Sequence, residues 1–160
     1  MDEAQVREDV LECLEGRSAH GDLETLAAGV PVELRGVVPE GQSHSPWGLI
    51  EHMRRAIADI VDFVEDPDHE TPDWPAGFWP EDPAPPSEAA WDEAIAEIQR
   101  YLEKLQQWVA DASFDPTAAP AHTGLKTPLR AALLAADHNA YHLGQLATLR
   151  KLLGVPASGP

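Results

Sequence analysis

The stretch TPLRAALLAADHNAYHLGQLATLRKLLG, residues 127–154, decides the fold. Thr127 offers a side-chain cap and Pro128 sits in the first turn, where its missing N–H costs nothing. No further proline follows until Pro156, and Gly154 supplies a stop. The segment therefore predicts a long helix over about 128–153. Its two histidines, His138 and His142, stand four residues apart. At about 100° per residue their rings differ by about 40° and share one face, one turn above the other.

Working outward, the same cap-plus-proline signal recurs at Ser45 and Pro46. A helix over about 46–64 follows, with Trp47, Ile50, Met53, Ile57, Ile60, Val61 and Val64 on a broad apolar stripe. Ser87 caps a third segment, about 88–111. There Trp91, Ile95, Ile98, Leu102, Leu105 and Val109 alternate spacings of four and three, as a helix seam requires. Residues 2–15 form a weaker helix, placing Val6, Val10, Cys13 and Leu14 together before Gly16. A short helix fits Asp22 to Ala28. No strand-like alternation and no internal repeat occurs. The expected architecture is all-α: an antiparallel four-helix bundle with long loops, one domain over 1–160.

One loop stands apart. Residues 67–86, PDHETPDWPAGFWPEDPAPP, hold seven prolines in twenty positions, which no helix tolerates. Trp74, Phe78 and Trp79 lie within it, and large aromatic side chains seldom sit free in water. The segment reads as an ordered strap or lid packed on the helices.

With 11 basic and 28 acidic residues the net charge is −17. Nucleic acid, whose phosphates need clustered Lys and Arg, is disfavoured as a partner, and so are anionic membrane surfaces. No apolar run approaches the roughly 20 residues of a membrane span. The start, MDEAQVRED, lacks the basic-then-apolar pattern of a secretory signal, so the cytoplasm is the expected location. Cys13, alone, forms no internal disulfide.

The histidines carry the chemistry. Two imidazoles on one helical face can serve one metal ion, and a third ligand must then come from another helix. His52 is the sole histidine inside the second long helix, beside its apolar stripe. Three imidazoles with open positions left over would make a catalytic type of site. The same spacing also suits capped or solvated histidines, so on spacing alone a packing role stays open for all three. His44 and His122 precede the second and fourth long helices and are candidates for the metal's end, with local hydrogen bonding in their loops as the favoured reading. Trp47, Trp74, Phe78 and Trp79 are candidates for walls of a small-molecule pocket, with simple packing as the other reading. Glu51 and Asp137 point about 100° away from the neighbouring histidines and read as solvated charges.

Two segments together carry a family resemblance: HSPWGLIEHMRRA (44–56) and DHNAYHLGQLATLRKLLG (137–154). They resemble the DinB-like metal-binding four-helix bundles over most of the chain from His44 to Gly154. The resemblance implies metal ligation by His52, His138 and His142, and Tyr141, His142, Gly144 and Gln145 match its Y-H-x-G-Q signature. It implies a divalent ion, zinc or nickel above others. It also implies metal-dependent transferase or hydrolase chemistry on a small molecule, in some relatives with a low-molecular-weight thiol as cosubstrate. The alternative within the family is a non-catalytic, metal-binding or stress-related protein. Tyr141 and Gln145 are candidates to hydrogen-bond around the ligands, with a helix-packing role as the equal alternative. Only Arg54, Arg55, Arg130 and Arg150 stand near enough in sequence to receive a thiol's carboxylates. A homodimer is expected, with an apolar arc on the last helix that includes Leu129, Ala136, Leu143 and Ala147 burying against a partner chain as well as its own core.

Overall fold

The computed structural model describes residues 2–16 and 20–156. Among these the chain is all-helical, with four long helices: α1 (Glu3–Glu15), α3 (Pro46–Glu65), α4 (Glu88–Ala110) and α5 (Pro128–Leu152). A short α2 (Leu23–Ala27) lies between the first two. Each helix start follows from a capping side chain. Asp2, Asp22, Ser45, Ser87 and Thr127 accept from the backbone N–H groups of Ala4, Thr25, Gly48, Ala90 and Arg130. α1 ends at Gly16, which takes the left-handed conformation at φ 68° that other residues reach only with strain.

The helices share one apolar core. Ile50, Met53, Ile57 and Val61 of α3 meet Trp91, Ile98 and Leu105 of α4, and Ala132, Ala135 and Leu146 of α5. Full burial of each large aliphatic side chain contributes about 1.5–3 kcal/mol. Arg150, buried near the end of α5, donates to the Leu26 and Ala28 carbonyls and ties α2 to the core.

Helix directions differ from the antiparallel expectation in one respect. α3 and α4 point the same way, since Arg54 pairs with Glu97, Asp62 with Tyr101 and Glu65 with Lys104. α5 runs against both. Its first turn lies near Phe63, over whose ring Lys126 sits, while His142 lies beside His52. α1 is antiparallel to α4, with Arg7 donating to the carbonyls of Val109 and Asp111. The physical reason is the proline-rich segment. A 20-residue helix is about 30 Å long, and residues 66–87 are long enough to carry the chain back along it, so α4 starts beside the start of α3.

That segment is a strap fastened along its length. His69 meets Asp59 at 2.8 Å, Arg55 donates to the carbonyls of Gly77 and Trp79, and Ser45 Oγ donates to the Pro83 carbonyl. Two close approaches require the absence of a side chain. A Cβ on Gly77 would fall 2.6 Å from Pro72 Cβ, and one on Gly36 would fall 2.5 Å from Ala84 Cβ.

Several expectations need correction. Trp74 is 77% exposed, touching Phe78 at a ring separation of 5.8 Å, so only Phe78 and Trp79 of the strap aromatics are packed down. Cys13 is exposed rather than part of the α1 face in the core. Of the α5 residues named for a dimer face, Leu143 is buried, and Leu129 and Ala136 are partly buried against this chain's own core, as the arc's double role expects. Among the described residues no helix is long and apolar enough to cross a membrane.

Candidate metal centre

The site forms where the second turn of α3 faces the middle of α5. His52, His138 and His142 bring one ring nitrogen each within 4.8 Å of one another. His52 and His142 are buried, and His138 is partly open to solvent. The rings pack edge to face, with centroids 4.5 Å apart for His138 and His142 and 4.6 Å for His52 and His142.

Outer contacts fix which nitrogens are free. His52 Nδ1 lies 2.9 Å from the Phe78 carbonyl oxygen, so it carries the proton and donates. Its Nε2 then presents a lone pair, 3.1 Å from His138 Nε2. His142 Nδ1 donates to Gln145 Oε1 at 2.7 Å, which again leaves Nε2 as the free base. Such partners fix tautomer and ring orientation in metal sites. Two nitrogens sharing an ion at about 2.0–2.1 Å, at angles between octahedral and tetrahedral, stand about 2.9–3.4 Å apart. The His52–His138 separation falls in that range and the His142 nitrogen lies within 4.8 Å of both, so the three residues could hold a divalent ion.

Electrostatics point the same way. Burial, reinforced by the neighbouring imidazole of His52, lowers the pKa of His138 to about 4. Burial and the charge of His138 lower His142 to about 4 as well. His52 is also lowered, by burial first, against the opposing pull of the Phe78 carbonyl. All three are neutral at pH 7, the form in which imidazole binds a metal.

Trp79 closes one side. Its indole stacks between His44 and His52, 3.8 Å from each, with interplanar angles of 10° and 2°. Tyr141 lies edge-on to His142 at 4.9 Å and is 64% exposed at the mouth. Gln145 Nε2 donates to the Tyr141 hydroxyl at 3.3 Å, which leaves that hydroxyl's own proton for another acceptor.

The remaining sequence candidates divide. His44 is at the site through Trp79. Trp47 is buried in the core at the start of α3. His122 is exposed just before α5, at the end of the molecule opposite the three histidines. The ten helical residues from Pro128 to His138 alone separate them by about 15 Å; α5 opposes α3, so preceding a helix puts His44 and His122 at different ends. Asp137 is exposed, as expected of a solvated charge.

Glu51 is the residue that sequence reasoning missed. It is 6% exposed and accepts from Arg54 at 2.7 and 2.8 Å and at 2.7 Å from Arg55, which also donates to the strap. Burial alone would raise its pKa, but the two guanidiniums outweigh that and lower it. The signal was present in the order E-H-M-R-R, since positions three and four after a glutamate share its helix face.

No curated protein and no solved structure matches the chain significantly. A family model does: the DinB superfamily, over residues 15–146, which contain all three histidines, the strap and most of α5. The chain belongs to the DinB superfamily.

Proposed function

We propose that His52, His138 and His142 hold one divalent metal ion, zinc or nickel, and that the protein is a metal-dependent transferase or hydrolase acting on a small molecule. In this reading the four long helices form a DinB-like four-helix bundle working in the cytoplasm. The observation that carries the reading is the pair of outer hydrogen bonds from His52 Nδ1 to the Phe78 carbonyl and from His142 Nδ1 to Gln145 Oε1, which leave both Nε2 atoms unprotonated in a cluster whose ligand nitrogens lie within 4.8 Å of one another.

Three nitrogens leave coordination positions open, and an ion held there lowers the pKa of a bound water or thiol and polarises an adjacent oxygen. The protein's own residues supply the rest. Trp79 and His44 cover one flank, so approach is from the side of His138 and Tyr141. The Tyr141 hydroxyl is positioned to donate to a ligand at the mouth.

The cations argue about substrate. Arg54 and Arg55 are committed to Glu51, Glu97 and the strap, Arg150 holds backbone carbonyls, and Arg130 lies near Asp59 and Phe63 at the far end. None of the four faces the histidines. Together with the charge of −17, this favours a neutral or cationic substrate over a thiol bearing several carboxylates.

The test is metal content per chain on tag-free protein, beside the His52/His138/His142 triple alanine variant, followed by ester and thiol substrate screens. About one equivalent of metal in the wild type and none in the variant supports the site. No metal after incubation with zinc and nickel refutes it. A loaded protein that turns over nothing supports the metal-binding, non-enzymatic alternative.

A further inference from the structure

We infer that Arg55 is a positioning residue for the metal centre, transmitting the docking of the strap to His52. The inference rests on the metal reading above and concerns residues outside the ligand set.

Three consecutive strap residues bear on His52. The Phe78 carbonyl accepts the His52 Nδ1 proton at 2.9 Å, and the Trp79 indole lies flat on the His52 ring at 3.8 Å. The carbonyls on either side, of Gly77 and Trp79, both accept from Arg55 Nη1, at 3.2 and 3.1 Å. Arg55 therefore brackets the Phe78 peptide and sets the direction of its oxygen. Arg55 is itself aimed by Glu51, which accepts from its Nε at 2.7 Å. Glu51 is in turn gripped by Arg54, which also reaches Glu97 on α4 at 3.1 Å. His52 thus has its tautomer set by a carbonyl whose position depends on a guanidinium one turn along the same helix.

Arginine is needed for this. Its fork offers Nε to the carboxylate and Nη1 to the carbonyls at once, whereas a lysine is a single point donor. The strap has its own rigidity at this point, because Gly77 meets Pro72 with no room for a Cβ. Linkage then makes the coupling reciprocal: if a docked strap tightens metal binding, a bound metal tightens the strap by the same factor.

The experiment compares wild type, Arg55→Ala and Arg55→Lys in full-length protein. Zinc affinity is measured by chelator competition, and amide hydrogen exchange over residues 76–80 is followed with and without zinc. Loss of an outer-shell partner of a metal ligand typically weakens binding about 10–100-fold. Arg55→Ala should show a loss of that order with helical content unchanged, and Arg55→Lys should fail to rescue it. Zinc should slow exchange over 76–80 in the wild type and not in Arg55→Ala. Cobalt loaded in place of zinc should give an altered visible spectrum in Arg55→Ala, which a merely destabilising change would not produce.

Zinc affinity within twofold of wild type in folded Arg55→Ala, or strap exchange indifferent to zinc in the wild type, overturns the inference. Should Arg55→Ala not fold, Arg55→Lys decides, since it keeps the charge beside Glu51 but cannot bracket the Phe78 peptide: a loss of zinc affinity of the same order supports the inference and affinity within twofold of wild type overturns it. A wild type that binds no zinc defeats the metal reading itself, and is recognised in the first titration.

Discussion

Acid should destabilise the metal-free protein well before its carboxylates are protonated. His138 and His142 have folded-state pKa values of about 4, against 6.5 when exposed. Between these values the unfolded chain binds protons that the folded chain refuses, so stability falls as pH falls from about 6.5 toward 4 and is unaffected by these groups above that window. Linkage for a group shifted from 6.5 to 4 gives a loss of about 2 kcal/mol between pH 7 and pH 5. Two such groups give at most about 4 kcal/mol. That is a large part of the 5–15 kcal/mol available to a typical domain. Glu51 acts in the same direction only at lower pH, because its pKa is depressed and its contribution is lost as pH falls through the folded value. The assay is urea unfolding after chelator treatment, at pH 7, 6 and 5, for wild type and for a His138→Gln/His142→Gln variant. The wild type should lose most of the stated amount and the variant much less. Equal unfolding free energies at pH 7 and 5, or the same pH slope in the variant, would refute the assigned burial of these imidazoles.

Three further outcomes follow from the same geometry. Gln145→Ala removes the acceptor of His142 Nδ1 and should weaken zinc binding by about tenfold, read by chelator competition, with the melting curve of the metal-free protein little changed. Glu51→Ala removes the carboxylate shared by Arg54 and Arg55, which keep Glu97 and the strap carbonyls, and should cost about 1–3 kcal/mol by urea unfolding; a cost under about 0.5 kcal/mol would show that water already screens the network. Leu146→Ala empties a fully buried position beside the centre and should cost about 2–5 kcal/mol by the same method while leaving the metal stoichiometry at the wild-type value.

The parts of the fold that were readable in the sequence are those governed by local chemistry. Ser45–Pro46 and Thr127–Pro128 announce helix starts because capping and proline geometry act within one turn, and both sit at observed starts. The four-residue spacing of His138 and His142 was legible for the same reason. Direction was not: nothing near residue 66 says that the chain doubles back before α4, and the pairing of Arg54 with Glu97 depends on that return. The end at which His122 lies is hidden by the same gap, since it follows from the direction of α5 relative to α3. Glu51 reads as solvated because helical geometry correctly turns it away from His52, and burial by Arg54 and Arg55 depends on what α4 and the strap hold in place. Trp74 and Trp79 are five residues apart in one loop, yet one is exposed and the other stacked. Composition treats them alike, and only the backbone path between them tells them apart.

The two halves of the histidine cluster come from distant parts of the chain. His138 and His142 would face one another in any isolated helix, but His52 is 86 residues before His138. Closing a loop of that length costs an unfolded chain about 4 kcal/mol in entropy. The unfolded protein can therefore offer an ion two imidazoles at most by local geometry, and the third only after the chain has returned to its native path. An ion bound by all three would act as a reversible cross-link between the front and back of the sequence, with its binding energy added to the folded state alone. Metal occupancy would then register whether the chain has completed its tertiary structure, even where helix content has already been regained.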